Sequence, residues 1–303
     1  MTKYHSSDLW DYKDDDDVVI ITEEDLKDFK RSPTNYKIAC FNPETNGMRY
    51  FKTLTYNLVQ NQPERFWNIL EKIDNRDVGN PIDISMGGKR VCLDYYQSVS
   101  ELLFLSSHVP LEGCTILEIG SGYGRTCHSL LTNYNIKIYN IVDLDKCLQL
   151  SKVYLQRVLS KENFDKIRFI SVEEFENEVD LDVDLTINID SFAEMNETVV
   201  RAYLRYIDEH SQYFYVKNPV GKYFDASLDN HVQGLEVVKM ALSVGILRDI
   251  IDIDNSVEIE RKAKTFVSAY CPSDEWECIS HQRAPPWSYY WQSVYGTKNR
   301  NDK

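Results

Sequence analysis

The chain has no CxxC pair, no long apolar run and no surplus of basic residues, and each absence excludes something. Its seven cysteines stand at 40, 92, 114, 127, 147, 271 and 278. That odd number without CxxC spacing gives poor support to a zinc site or a disulfide framework. Reduced, mostly buried thiols in a cytoplasm fit better. No apolar run approaches the roughly 20 residues that a membrane span needs. The start, Met1 to Asp17, has no basic-then-apolar signal character. Acids outnumber bases by 48 to 34, for a net charge of −14. Such a balance argues against gripping nucleic-acid phosphates or anionic lipid, which requires surplus Lys and Arg. A local basic pocket for a small substrate is still compatible with it.

What is present is ordinary globular composition, 43% hydrophobic and 27% charged over 303 residues. This is enough to bury a sizeable core, as two domains or as one large domain with an appendage. Asp11 to Asp17 reads DYKDDDD, which resembles an epitope tag lacking its last Lys, yet no cloning linker follows it. Natural sequence and artefact both stay open there. Apolar residues at helical spacing predict helices over Tyr50–Val59 and Arg65–Ile73, with Pro63 suited to a helix start. Gly79, Pro81, Gly87 and Gly88 predict a loop over Val78–Arg90. Residues 1–90 therefore read as a helical cap with an acidic start, 91–272 as the main domain and 273–303 as an aromatic-rich tail. Trp276 to Tyr295 holds six Trp or Tyr in 20 residues, which reads best as a tail docking on the core through its rings. Seven acids in the 12 residues from Glu173 to Asp184 read as a solvated connector.

From Leu93 the pattern becomes regular. A helix over Leu93–Val109 precedes strands at Cys114–Gly120, Ile136–Val142, Ile167–Val172, Val183–Ile189 and Tyr213–Val216, with helical segments between them. Leu235–Leu242 is a further helix, and Leu247–Ile253 and Thr265–Tyr270 read as late strands. Alternating strands and helices predict a parallel sheet with helices on both faces.

The sharpest motif is Glu118-Ile119-Gly120-Ser121-Gly122-Tyr123-Gly124-Arg125. Glycines at 120, 122 and 124 after the first strand let the backbone approach a ligand, and the helix that follows turns its N–H groups to the site. A dinucleotide fingerprint wants GxGxxG, whose last glycine packs helix on strand. Arg125 occupies that place and would crowd the contact, which disfavours NAD. S-adenosylmethionine fits better, because its cationic sulfonium and ammonium favour an acid at the strand end, where Glu118 stands. Asp143 closes the second strand, 23 residues after Gly120. That is about the spacing, roughly 20 residues, at which an acid reaches ribose hydroxyls in doubly wound folds. The candidate cofactor residues are Glu118, Gly120, Ser121, Gly122, Gly124, Asp143, Leu144 and Asn188.

LEIGSGYGRTCHSL, IVDLDKCLQLSKVYL, LTINIDSFAEM and YFYVKNP together resemble the sugar O-methyltransferase family of class I methyltransferases. The similarity runs from Val78 to Pro272. Asn188-x-x-Ser191-Phe192-x-Glu194-Met195 is its more specific part. The resemblance implies an α/β, Rossmann-like sheet of seven strands, the last two forming an antiparallel hairpin at Leu247–Ile253 and Thr265–Tyr270. It also implies S-adenosylmethionine as donor, S-adenosylhomocysteine as product, and a hydroxyl of a sugar, nucleotide sugar or saccharide as acceptor.

A sugar hydroxyl is a poor nucleophile, so a base within hydrogen-bond reach is expected. Asp190 and Glu194 follow the fourth strand, where ligands of open sheets bind. Capping roles, Asp190 as an N-cap and Glu194 in a capping box with Ser191, compete with that reading. His231 has a suitable ordinary pKa and sits in a loop after the fifth strand. Asp225, Asp229 and His231 could instead hold a divalent metal, although no spacing demands one. His281 is a weaker base candidate. Tyr95, Tyr96, Trp287, Tyr289, Tyr290 and Trp291 could stack on a sugar or cover the donor. Oligomeric state stays open. Methylation of another small molecule, or a non-catalytic scaffold of the same fold, are the alternatives.

Overall fold

A computed structural model describes residues 43–175, 181–224 and 235–298. The tag-like stretch at 11–17, Cys40, Asp225, Asp229 and His231 lie outside the described residues. The chain divides into two compact units, residues 1–60 with 82–90, and residues 61–81 with 91–303.

The first unit holds helix α1 (Pro43–Val59) and β1 (Asp83–Met86), which pairs with β2 (Lys89–Cys92) in a two-stranded sheet; Arg90 is the last residue of that unit. The stretch expected as a loop therefore holds a hairpin. Gly87 (φ 56°) and Gly88 (φ 82°) supply the two consecutive left-handed residues that a tight hairpin turn requires. Arg90 pairs with Asp83 across it.

The second unit starts with α2 (Glu64–Lys72), where Pro63 is the N-cap and Phe66, Ile69 and Leu70 are buried. Then come α3 (Leu93–Leu105), β3 (Thr115–Ile119), α4 (Arg125–Asn133), β4 (Ile138–Asp143), α5 (Asp145–Val158), α6 (Lys161–Phe164), β5 (Ile167–Ser171) and α7 (Val172–Phe175). They are followed by β6 (Val183–Ile189), a 3-10 turn (Ser191–Ala193), α8 (Glu197–His210), β7 (Ser211–Pro219), α9 (Leu235–Ser243), α10 (Ser256–Ala269), β8 (Trp276–Arg283) and β9 (Tyr290–Thr297). One seven-stranded sheet has the order β5-β4-β3-β6-β7-β9-β8. The first five of these strands run parallel, and β9 is antiparallel to both β7 and β8. This is a seven-stranded sheet with an antiparallel final pair, as the resemblance implied. The central strands are buried on both faces; in β6 the alternate positions Thr186 and Asn188 are buried polar residues.

The final hairpin is present but displaced from the residues expected to form it. Thr265–Tyr270 falls on α10 and the turn after it. Asn255 caps that helix, accepting from the backbone N–H of Val257 (3.1 Å) and Glu258 (3.3 Å). Ile259, Ala263 and Phe266 then bury one helical face. Leu247–Ile253 contributes only a bridge, Lys222 to Ile250. The hairpin is built instead from the aromatic segment expected as a tail. Its rings enter the core, with Tyr295 stacked on Phe214 (5.9 Å, 21°) and Trp276 donating to Asp208 (2.8 Å).

Strand β3 pairs with β4 on one side and β6 on the other, so the winding reverses there. A crevice at the carboxyl ends of β3 and β6 is where an open α/β sheet binds ligands. Among the described residues no helix is long and apolar enough to cross a membrane.

Candidate active site

Three glycines with positive φ shape the loop after β3. At Gly120 (φ 76°) an added Cβ would lie 2.2 Å from Ser191 Oγ, so glycine lets the turn after β6 close onto the end of β3. Gly122 (φ 59°) has nothing within 4 Å of such a Cβ and faces open space. Gly124 (φ 94°) caps α4, and its added Cβ would meet Leu155 Cδ1 at 2.7 Å. The close packing expected one residue later thus occurs at Gly124, against α5. Arg125 does not crowd it, because its guanidinium turns to Glu101 (2.9 Å) and to the carbonyl of Asp94 (2.9 Å). Ser121 Oγ is buried at this loop without a hydrogen-bond partner. A buried orphan hydroxyl beside a helix N-terminus suits a polar ligand.

Asp143 ends β4 beside the loop. Its Oδ2 accepts from Gly122 N–H (3.0 Å) and its Oδ1 from Leu144 N–H (2.7 Å). The carboxylate still has acceptor capacity left for a ligand. Leu144, the residue before α5, is 64% exposed.

The other two cofactor candidates are committed elsewhere. Glu118 is buried below the loop and accepts from Tyr139 OH (2.9 Å). Burial pushes its carboxyl up to about 7, against the hydrogen bonds of Tyr139 and Thr126. Asn188 is fully buried, donating to Ile119 O (3.0 Å) and Ser191 Oγ (2.6 Å) and accepting from Asn218 (2.8 Å). It ties the end of β6 to that of β3.

Beyond β6 the chain turns at Asp190, whose φ of 70° is unusual for a residue with a side chain. Its carboxylate caps no helix; Oδ1 accepts from Tyr290 OH (2.6 Å). Ser191 makes no capping box with Glu194, since its hydroxyl donates to Ile119 O (3.1 Å). Asp190 and Glu194 both line a cavity of about 580 Å³, with Lys222, Tyr289, Tyr290 and apolar residues of α9. Burial and then the Asp190 charge push the Glu194 carboxyl up, and Lys222 opposes them. Burial pushes the Lys222 ammonium down, against the pull of Glu194 and Asp190. Lys222 Nζ donates to Ala193 O (2.8 Å).

Other candidates are placed away from this cavity. His281 accepts from the Trp291 indole (3.0 Å) and does not line it. Tyr95 and Tyr96 are buried, and Tyr95 OH lies 2.6 Å from both His128 Nδ1 and Tyr154 OH, so neither ring is free to cover a donor. Among the described residues no group of His, Cys, Asp or Glu is placed to hold a metal ion.

Two features had no sequence signal. Lys222 is one. The other is a buried network in which Glu101 binds Lys217 (2.7 Å) and Arg125 (2.9 Å), while Tyr123 of the glycine loop donates to Asp94. Burial pushes the Glu101 carboxyl up, but Arg125 and Lys217 outweigh it and hold the group below its ordinary range. The network braces the loop against α3 and β7.

No family model matches the chain, and no curated protein matches its sequence. Solved structures similar to it include methyltransferases. The methyltransferase domain of bacterial CtHen1 is 13% identical, with 66% of this chain and 97% of that one covered, at a TM-score of 0.46. The mitomycin 7-O-methyltransferase MmcR is 12% identical, with 88% and 73% covered, at 0.45. The magnesium protoporphyrin IX methyltransferase ChlM of Synechocystis PCC 6803, with bound SAH, is 11% identical, with 84% and 100% covered, at 0.43. At these identities the likeness is one of fold, and the low TM-scores carry no inference about chemistry.

Proposed function

We propose that the protein is an S-adenosylmethionine-dependent O-methyltransferase acting on a sugar hydroxyl. One observation carries the reading: the glycine loop and Asp143 are joined by a hydrogen bond at the carboxyl ends of β3 and β4, beside the point where the winding of the sheet reverses. The residues present fit the donor. The orphan Ser121 hydroxyl and the α4 N-terminus suit its methionine carboxylate. Asp143 suits the ribose hydroxyls, and exposed Leu144 suits the adenine face. When bound, the donor supplies an electrophilic methyl group on a cationic sulfur.

The protein's own part is to orient the acceptor and take its proton. Asp190 and Glu194 share one cavity and fill that role in this reading. Tyr290 holds Asp190 in place through its hydroxyl. Glu194, whose pKa is raised by burial and by the Asp190 charge, is a stronger base than an ordinary carboxylate. Lys222 keeps the two carboxylates from repelling each other fully. His231 stays a candidate base on sequence grounds. The free thiols of Cys92, Cys114, Cys127, Cys147, Cys271 and Cys278 support a cytoplasmic setting.

Isothermal titration with S-adenosylhomocysteine tests the donor assignment, and absence of binding refutes it. A screen of saccharides with labelled methyl donor tests the acceptor. Label transfer to other hydroxylated compounds but to no saccharide refutes the sugar.

A further inference from the structure

Resting on the methyltransferase reading, we propose that the acceptor is an uncharged sugar joined to an apolar aglycone. Its hydroxyl meets Asp190 and Glu194, and its aglycone lies on α9. The inference narrows the acceptor, because it excludes nucleotide sugars and free monosaccharides as the preferred ligands.

Charge is the first ground. The described charged residues lining the cavity are Asp190, Glu194 and Lys222, two carboxylates against one ammonium. Lys222 is already engaged with the carbonyl of Ala193 and faces Glu194. No arginine is among the described lining residues. A diphosphate would meet net negative charge and no planar fork to receive it, and juxtaposed like charges are costly. A neutral sugar meets no such penalty, and its hydroxyls pair with the carboxylates and with Tyr290.

The apolar wall is the second ground. Val237, Met240 and Ala241 of α9 line the cavity at positions i, i+3 and i+4 and form one stripe, with Val238, Leu242 and Val244 also on the lining. Met240 is 59% exposed and Val237 37% exposed, apolar surface that continues directly from the carboxylate site. A bare sugar does not use this surface, whereas an alkyl or aromatic aglycone removes it from water. Tyr289 and Tyr290, packed edge to face at 5.2 Å, stand on the cavity lining for the C–H face of the sugar. Size is the third ground. A cavity of about 580 Å³ is well beyond one sugar ring. It falls within the roughly 300–1,000 Å³ of sites for drug-sized ligands.

The test is titration calorimetry on the full chain saturated with S-adenosylhomocysteine. It compares hexyl glycosides, the matching free sugars, the matching UDP-sugars and hexanol. At least one hexyl glycoside is expected to bind about tenfold or more tighter than each of the other three, the gain that burial of two methylenes supplies. The V237S/M240S variant should lose most of that advantage while keeping its affinity for S-adenosylhomocysteine and its melting temperature. Preference for a UDP-sugar, equal binding of glycoside and free sugar, binding of hexanol as tight as the glycoside, or binding of no glycoside overturns the inference and leaves the donor assignment standing. An advantage that survives V237S/M240S also overturns it. Failure of S-adenosylhomocysteine to bind removes the donor assignment and the inference together.

Discussion

Replacing Gly120 with alanine offers a quantitative test of how the site is assembled. Gly120 sits at φ 76°, and an added Cβ would stand 2.2 Å from Ser191 Oγ and 2.5 Å from Ser191 Cβ. Two costs add. A side chain in the left-handed region costs about 1–2 kcal/mol. Forcing a methyl group into a packed contact costs about 1–3 kcal/mol more. Gly120→Ala should therefore lower stability by about 2–5 kcal/mol in urea unfolding. Gly122→Ala is the control, because it is also left-handed (φ 59°) but meets nothing within 4 Å. It should lose only the conformational part, about 1–2 kcal/mol. It should still weaken S-adenosylhomocysteine binding, since its methyl group projects into the open side of the loop. Ser191→Gly removes the clashing atoms, so the double variant G120A/S191G should recover part of the loss, visible as a coupling energy. Equal losses in Gly120→Ala and Gly122→Ala, or no coupling with Ser191→Gly, would refute the claim that the turn after β6 closes on the end of β3 through this glycine.

Other outcomes follow from the same geometry. Glu118 is buried with its pKa raised to about 7, so it favours its protonated form in the folded state. Its contribution is fully present below the ordinary carboxylate pKa and is lost as pH rises toward 7. Glu118→Gln should flatten that decline and be the more stable protein at pH 8, by roughly 3 kcal/mol at most, as denaturation across pH reports. Asp143→Asn should weaken S-adenosylhomocysteine binding by roughly tenfold or more, the worth of one charged hydrogen bond, measured by calorimetry. Asp190→Asn and Tyr290→Phe should lower turnover while leaving that affinity unchanged; a matching loss of donor affinity would place them on the wrong side of the crevice. The acidic limb of the kcat–pH profile should lie above the ordinary carboxylate range because Glu194 is raised, and Glu194→Gln should abolish it.

Much of the framework is legible along the chain because its causes are local. The runs Ile116–Ile119 and Ile138–Val142 and the alternation of Val183–Ile189 announce strands, and Gly120, Gly122 and Gly124 announce a loop that ordinary residues cannot form. Asp143 follows from spacing, and the structure joins it to Gly122 N–H at 3.0 Å. Glu118 and Asn188 show where this reasoning stops. Residue type marks both as ligand groups, yet Glu118 pairs with Tyr139 and Asn188 with Ser191 and Asn218, partners that neighbouring strands bring to them.

The hairpin has the same lesson. Thr265–Tyr270 has an apolar pattern that suits a strand or a helix, and a short window does not separate the two. The Asn255 cap and the burial of Ile259, Ala263 and Phe266 against the core decide for the helix. Trp276 to Tyr295 becomes sheet because its rings stack on Phe214 and its neighbours, which are distant in sequence. The acceptor cavity is the product of long-range pairing. Tyr290 reaches Asp190 across 100 residues, and Lys217 reaches Glu101 across 116. The sequence by itself determined the donor loop and the strands that carry it, since backbone conformation and hydrophobic period are properties of adjacent residues. Tertiary structure alone decided which carboxylates face a ligand and which are buried in pairs, because exposure and partnership are set by chain segments that meet only once the sheet has formed.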